Sequence, residues 1–274
     1  MLASNAELKF HFIDKKEYLL PYKSFILDCF LRSYQKPLDG DTWDWAYIHN
    51  ICGDPLVSLA FNDTRCVGHY AVIPIFLRKG DQQLKACLSM TTMVDPDYQR
   101  KGLFTKLAYP VYQAMPCLDV KLVVGFPNQN SAHGLNKYCA WTLTQPSEFM
   151  VSVSKDQMIK SKSLKAYLHR SNVIHLDTKD QAFLAWRLSK PGQYYEKYGG
   201  SIIKKYNDDY DILYLDKDFE HTLPHHYQYN ILIDHHMDDL EHQKIHEYQF
   251  GYRLFSDELI SSYFKKDMLM SDVF

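Results

Sequence analysis

The chain has 274 residues and sets 31 Lys and Arg against 33 Asp and Glu, a formal charge of −2. That length fits one large domain or two small ones, and 46% hydrophobic residues can fill a sizeable core. No uninterrupted run of about 18 apolar residues occurs, so no membrane-spanning helix is expected. Near-neutral charge argues against bulk nucleic-acid binding, which needs an excess of Lys and Arg to displace counterions. The start, MLASNAELKFHFIDKK, lacks the basic-then-apolar pattern of a secretory signal. The 6 cysteines (Cys29, Cys52, Cys66, Cys87, Cys117 and Cys139) form no C-x-x-C pair. They read as buried free thiols of a reducing cytosol, and a cytoplasmic location is expected.

In chain order, Lys15 to Tyr34 has apolar steps of three and four that predict an amphipathic helix interrupted by Pro21. A turn at Lys36–Gly40 precedes a second helix carrying Trp43, Trp45, Tyr47 and Ile48, with Asp41 or Thr42 as its cap. Leu56–Phe61, Cys66–Leu77 and Leu84–Val94 then read as strands of an antiparallel meander joined by short polar turns. A helix is expected from Leu103, and the run Val120–Phe126 suits a buried parallel strand followed by a short helix near Ser131–Cys139. This order predicts an α/β (α+β) sheet whose topology changes in its middle, where a ligand crevice is expected. Beyond residue 150, helices are expected at Lys155–Arg170 and Ala182–Leu188. Strands are expected at Ser201–Tyr206, Asp211–Leu215, Tyr227–Ile233 and Tyr248–Phe255. Trp186-Arg187-Leu188 echoes Trp45-Ala46-Tyr47, each followed by strands, which suggests a duplicated half.

The informative segment runs from Met93 to Thr105, where a strand ends, a basic loop follows and a helix begins. Unpaired amides at such a helix start, with about half a positive charge from the helix, can hold a pyrophosphate. Gly102 allows close approach of the backbone, and Arg100 and Lys101 add charge at the rim. An ordinary strand–helix turn with a solvated Arg-Lys pair fits the same spacing.

Gln99, Gly102 and Phe104 occupy the three positions of Gln/Arg-x-x-Gly-x-Gly/Ala, with Phe where a small residue is usual. This segment resembles the acetyl-coenzyme A loop of the GNAT N-acetyltransferase superfamily. VGHYAVIPI at Val67–Ile75, DPDYQRKGLFTKLA at Asp95–Ala108 and GFPNQNS at Gly125–Ser131 are similar to a bacterial branch of about this length, often associated with surface-polysaccharide synthesis. The ending Ser271-Asp272-Val273-Phe274 also resembles that branch. The resemblance is specific over residues 43–145. It implies a GNAT-like mixed sheet flanked by helices over residues 1–150, and over 151–274 a second, degenerate GNAT-like half completing the acceptor cleft.

The resemblance further implies an acetyl-CoA-dependent N-acetyltransferase in which a small amine acceptor attacks the thioester directly; an amino sugar or nucleotide-linked amino sugar is the first candidate. The main chain of Met93 and Val94 would take the pantetheine arm as an added strand and orient the acetyl carbonyl. Amides of Gln99, Arg100, Lys101, Gly102, Leu103, Phe104 and Thr105 would hold the pyrophosphate, and Asn128 or Asn130 would meet the arm or the pocket floor. His69, Asp95 and His133 are the candidate bases. Many family members place a proton-donating tyrosine four residues before the Gly of a Gly-Phe pair. Here the pair is Ala140-Trp141 and the donor position is Asn136. Tyr138 stands two residues on, about 200° around a helix, and is expected to pack.

Two other readings stay open: a catalytically silent acyl-CoA-binding scaffold, favoured by Phe104, Asn136 and the absent base, and an aminoacyl transferase using charged tRNA. Seven of the 13 histidines fall between His221 and His246. His225-His226, His235-His236-Met237-Asp238-Asp239 and His242-x-x-x-His246 lack the residues of a metalloprotease or acyltransferase motif, so no metal is expected. Tyr194, Tyr195 and Tyr198 could form a stacking wall for a sugar, or simply pack.

Overall fold

The computed structural model describes residues 7–144, 148–233, 237, 239–240 and 243–271. Strand β1 (Lys9–Ile13) leads to α1 (Lys16–Leu19), and a tight turn over Leu20–Tyr22 containing Pro21 redirects the chain into α2 (Lys23–Tyr34). Helix α3 (Gly40–Tyr47) begins earlier than expected. Its cap is Asp39, whose carboxylate accepts the Thr42 amide at 2.8 Å, rather than Asp41 or Thr42.

Strands β2 (Leu56–Asn62), β3 (Arg65–Lys79) and β4 (Gln82–Val94) form the expected antiparallel meander. Its turns open on Asp63 and Gly80, at φ of 52° and 60°, the left-handed backbone that tight hairpins need. Helix α4 (Leu103–Ala114) then crosses to β5 (Leu122–Gly125), which pairs with β4 in parallel and is buried throughout. Helix α5 (Gln129–Cys139) and the short β6 (Thr142–Leu143) follow.

The remaining elements are β7 (Glu148–Ser154), α6 (Lys155–Lys160), α7 (Lys162–Leu168), β8 (Val173–Leu176), α8 (Gln181–Arg187), β9 (Tyr195–Tyr198) and β10 (Ser201–Tyr206). After them come β11 (Asp209–Tyr214), α9 (Phe219–Thr222), β12 (Gln228–Ile233), β13 (Gln243–Tyr248), β14 (Gly251–Leu254), β15 (Tyr263–Phe264) and α10 (Met268–Ser271). The single helix expected over Lys155–Arg170 is two, because Ser161 is extended and caps α7 through the Leu164 amide. The strand expected over Tyr248–Phe255 is the end of β13 and the separate β14.

The strands build two sheets flanked by helices, a GNAT-like mixed α/β fold. One runs β1-β2-β3-β4-β5-β14-β6, with β8 paired to the end of β3 and β15 to β8; the other runs β13-β7-β12-β11-β10-β9. Strands from beyond residue 150 join the first sheet. β14 enters the first sheet between β5 and β6, and β8 pairs with β3.

The echo between Trp45 and Trp186 becomes a contact. Their rings stack at 5.0 Å and 16°; each indole N–H donates to the other residue's carbonyl, at 2.9 and 3.1 Å. Trp43, Trp45 and Trp141 are all buried, as are five of the free thiols; Cys117 alone among the cysteines is exposed.

Candidate active site

β4 and β5 pair only from Ala86/Leu122 to Leu88/Val124, and β4 then runs on to Val94 without β5 beside it. The two strands part at the topological change in the sheet, and a cleft of about 110 Å³ opens between them. Its walls include Tyr34, Thr91, Thr92, Phe126, Asn128 and Trp141. Where β4 borders this cleft it carries a β-bulge. His69 pairs with Met93 and Ala71 with Met90, so Thr91 and Thr92 together oppose Tyr70.

Thr91 sits at φ 47°, a backbone that costs a β-branched residue of order 1–3 kcal/mol. Three side chains hold it there. The Tyr47 and Thr91 hydroxyls bond to each other, Tyr34 donates to the Thr92 carbonyl at 2.7 Å, and His69 Nδ1 lies 2.8 Å from the Thr91 carbonyl.

The floor of the split rests on a pair of glycines. Gly125 of β5 faces Gly251 of β14, and a Cβ on either would lie 3.3 or 3.1 Å from the Trp141 ring. The indole is fixed in turn, its N–H donating to the Tyr112 hydroxyl at 2.8 Å.

Beyond Val94 the loop is anchored by Asp95. Its carboxylate, 1% exposed, accepts from Arg32 at 2.9 Å, from Arg65 at 2.6 Å and from the Asp97 amide at 3.3 Å. Burial works to raise this carboxyl, but the hydrogen bonds from the two arginines and the amide outweigh it and hold it below the usual range. Gln99 folds back to donate to the Val94 carbonyl at 3.1 Å, and Lys101 donates to the Asp97 carbonyl at 2.9 Å.

Gly102 caps α4 at φ 72°, offers no side chain to the first-turn amides and has open space where a Cβ would stand. Phe104 turns inward, edge-on to Tyr70 at 5.9 Å and against Gly134 of α5. A bulky residue at the motif's small position is thus accommodated by a glycine on the next helix, leaving the amide face uncovered.

The structure brings together some of the residues expected at the site. Met93 and Val94 end the bulged strand, and Gln99–Thr105 form the loop and first turn beside it. Asn128 lines the cleft, but its side-chain oxygen is used to cap α5 on the amides of Asn130 and Ser131 at 3.1 Å; Asn130 is exposed.

The three candidate bases do not assemble. His69 is wholly buried, and burial pushes its imidazole down to about 4 despite the hydrogen bond at Thr91. Asp95 is committed to two guanidinium groups, and His133 is an exposed side chain on α5, edge-on to Tyr138 at 6.3 Å. Tyr138, expected to pack, is 58% exposed, while Asn136 donates to the Trp141 carbonyl at 2.9 Å and closes the end of α5.

Residues the sequence did not single out are Tyr34, Thr91, Thr92 and Phe126, which meet only through the fold. A larger open hollow of about 690 Å³, lined by Asp41, Asp44, His49 and Ser189 beside the tryptophan pair, shares no residue with the cleft. Among the described residues no cluster of metal-ligating side chains occurs, and no helix is long and apolar enough to cross a membrane. His235, His236, Asp238, His242 and the ending 272–274 lie outside the described residues.

Residues 15–138 match the profile of the acetyltransferase (GNAT) domain, the segment that contains the bulged strand, the glycine-capped helix and the parallel β5. Over this segment, which is less than half of its length, the chain is similar to the GNAT acetyltransferase domain, and the likeness supports an acyltransferase. Solved structures share the fold. A GCN5-related N-acetyltransferase from Kribbella flavida superposes with a TM-score of 0.61 at 11% identity, covering 92% of this chain and 72% of that one. Another from Anabaena variabilis gives 0.52 at 11% identity, covering 90% and 73%. A glucosamine N-acetyltransferase region of a fungal multi-domain β-N-acetylglucosaminidase gives 0.54 at 10% identity, covering 91% of this chain and 38% of that one. No curated protein matches the sequence.

Proposed function

We propose that this protein transfers an acetyl group from acetyl-CoA to the amine of a small acceptor, by direct attack of the amine on the thioester. The observation that carries this reading is the junction of the β4/β5 split with a helix start that has no side-chain cap. The split offers a main-chain edge to an extended arm, and the helix offers amides to a diphosphate a few residues away. The open space over Gly102 and the inward turn of Phe104 fit such a group. When bound, the cofactor supplies an activated acyl thioester.

The chain's own residues do the rest. First-turn amides of α4 hold the diphosphate, and Arg100 and Lys101 add charge at its rim. The bulged strand orients the arm, and the main chain near Met93 and Val94 presents donors to the acyl oxygen. The cleft is walled by hydroxyls, amides and rings, without a carboxylate or imidazole among its described lining residues. Catalysis there relies on positioning and on oxygen stabilisation: the neutral amine forms the C–N bond, the C–S bond breaks, and the amine proton passes to the departing thiolate, directly or through water, with no dedicated base in the cleft lining. An amino sugar is the acceptor we favour, on the resemblance of the loop segments.

Isothermal calorimetry with acetyl-CoA, followed by thioester cleavage against a panel of amines including amino sugars, tests the reading. Saturable binding and turnover with at least one amine are expected. Binding without turnover favours the silent scaffold, and no binding refutes both. Gly102→Trp is expected to weaken acetyl-CoA binding at least tenfold in a folded protein; unchanged affinity refutes the placement of the diphosphate.

A further inference from the structure

We infer that His69 is a positioning residue, whose Nδ1–H holds the Thr91 carbonyl and so keeps the bulge of β4 in the shape that orients the acyl group. This rests on the acyl-transfer reading of the cleft. A carbonyl only accepts, so the bond at 2.8 Å requires the hydrogen on Nδ1 and leaves Nε2 as a lone pair. Nε2 is buried and has no partner among the described residues, so it reaches neither the cleft nor solvent. The imidazole thus has one working atom, and that atom faces the strained residue.

The setting explains why a donor is needed there. In a regular antiparallel ladder the Thr91 carbonyl would meet a β3 amide, but the bulge sets Thr91 and Thr92 against the single residue Tyr70 and displaces that pairing. His69 stands on β3 one residue before Tyr70 and supplies from its side chain the donor that the ladder withdraws. Tyr47 packs edge-on against the His69 ring at 6.2 Å while bonding the Thr91 hydroxyl. Tyr34 takes the next carbonyl, Thr92, from the cleft side. The turn of the bulge is therefore clamped from β3, α2 and α3, and the β3 contact is the one made to the carbonyl of the residue with positive φ. A strand that relaxed to regular pairing would rotate the following main chain, Met93 and Val94, relative to the cleft.

Two substitutions separate the possible roles, because an Asn amide reproduces Nδ1–H but has nothing at the position of Nε2. With the amine acceptor that wild type uses, His69→Leu is expected to lower kcat tenfold or more with KM for acetyl-CoA changed less than threefold. His69→Asn is expected to retain a third or more of wild-type kcat. Equal loss in both variants assigns the role to the imidazole as a proton carrier and overturns the proposal. A folded His69→Leu with wild-type kcat assigns it to packing alone, which also overturns it.

Should the Leu variant fail to fold, the wild-type protein still decides. Its His69 ring is expected to show the Nδ1-protonated tautomer by 15N NMR from pH 6 to 8, and the Nε2-protonated form would refute the assignment. A wild-type enzyme that turns over no amine refutes the acyl-transfer reading instead, and the tautomer then decides by itself whether His69 holds the bulge.

Discussion

At Asp95 a single carboxylate gathers α2, β3 and the cofactor loop. Arg32 comes from α2, Arg65 opens β3, and the Asp97 amide belongs to the loop itself. Removing the charge takes the shared carboxylate from two guanidinium groups, although Arg32 keeps Asp28 and the Cys66 carbonyl and Arg65 keeps Asp97, so Asp95→Asn is expected to cost about 2 kcal/mol at pH 7. That lies under the 3–5 typical of fully buried pairs, because the Arg65 side chain is 45% exposed. The sign with pH follows from the depressed native value. The stabilisation is fully present above the ordinary Asp value of about 4, and it is lost as pH falls through the lower native one. The gap in melting temperature between wild type and Asp95→Asn should therefore be widest near neutrality and close in acid, and a gap independent of pH would refute the ion-pair account. From the sequence, Asp95 reads as a candidate base. Nothing local tells of Arg32 and Arg65, 63 and 30 residues away.

The elements around the cleft depend on where side chains are missing. Gly125 and Gly251 let the Trp141 indole lie across β5 and β14, and Tyr112 keeps it from moving aside. Gly125→Ala would bring a methyl within 3.3 Å of the ring and 3.4 Å of the Ser89 carbonyl. A loss of about 1–3 kcal/mol and weaker acetyl-CoA binding are expected, measured by denaturant unfolding and calorimetry. A stable variant with unchanged affinity would show that the split tolerates a closer contact. The longer helices and the strands of the meander and crossover were legible because their apolar periodicity is strong and their caps are local, whereas β7, central in the second sheet, and the short α9 and α10 were not. β1 and β13 were not, since KFHFI and QKIHEY leave most side chains exposed and carry no inward-facing alternation. The cap of α3 was misassigned because Asp39, Asp41 and Thr42 are all good caps; the choice turned on which backbone left helical geometry first.

Across the whole molecule the two halves are joined by shared strands and by the reciprocal tryptophan pair. Trp45 and Trp186, 141 residues apart, exchange N–H bonds, and the Arg187 guanidinium lies over the Trp45 ring at 5.3 Å. Either Trp→Ala change is expected to cost about 3–5 kcal/mol. The double variant is expected to fall short of the sum by about 0.5–3 kcal/mol, since the second loss removes a contact already broken. Strict additivity in urea unfolding would show that each ring packs independently of the other. The resemblance drew a cut near residue 150, yet β8 and β14 return to the first sheet from beyond it. The first sheet thus draws strands from both sides of that position, with β14 lying beside β5 beneath the cleft.

By itself the sequence determined the meander, the crossover through α4, the glycine at its start and the family resemblance of that loop. These depend on local periodicity, turn chemistry and short spacing, which the chain carries in order. Only the tertiary structure decided that Asp95 is a tether, that His69 faces a carbonyl, and that Tyr34, Tyr47, Thr91 and Trp141 converge at the split. It also decided that β14 belongs beside β5. Each of these depends on partners far apart in the chain, brought together by burial of apolar faces on both sides of the sheet, and no local pattern specifies which distant residue will fill a given place.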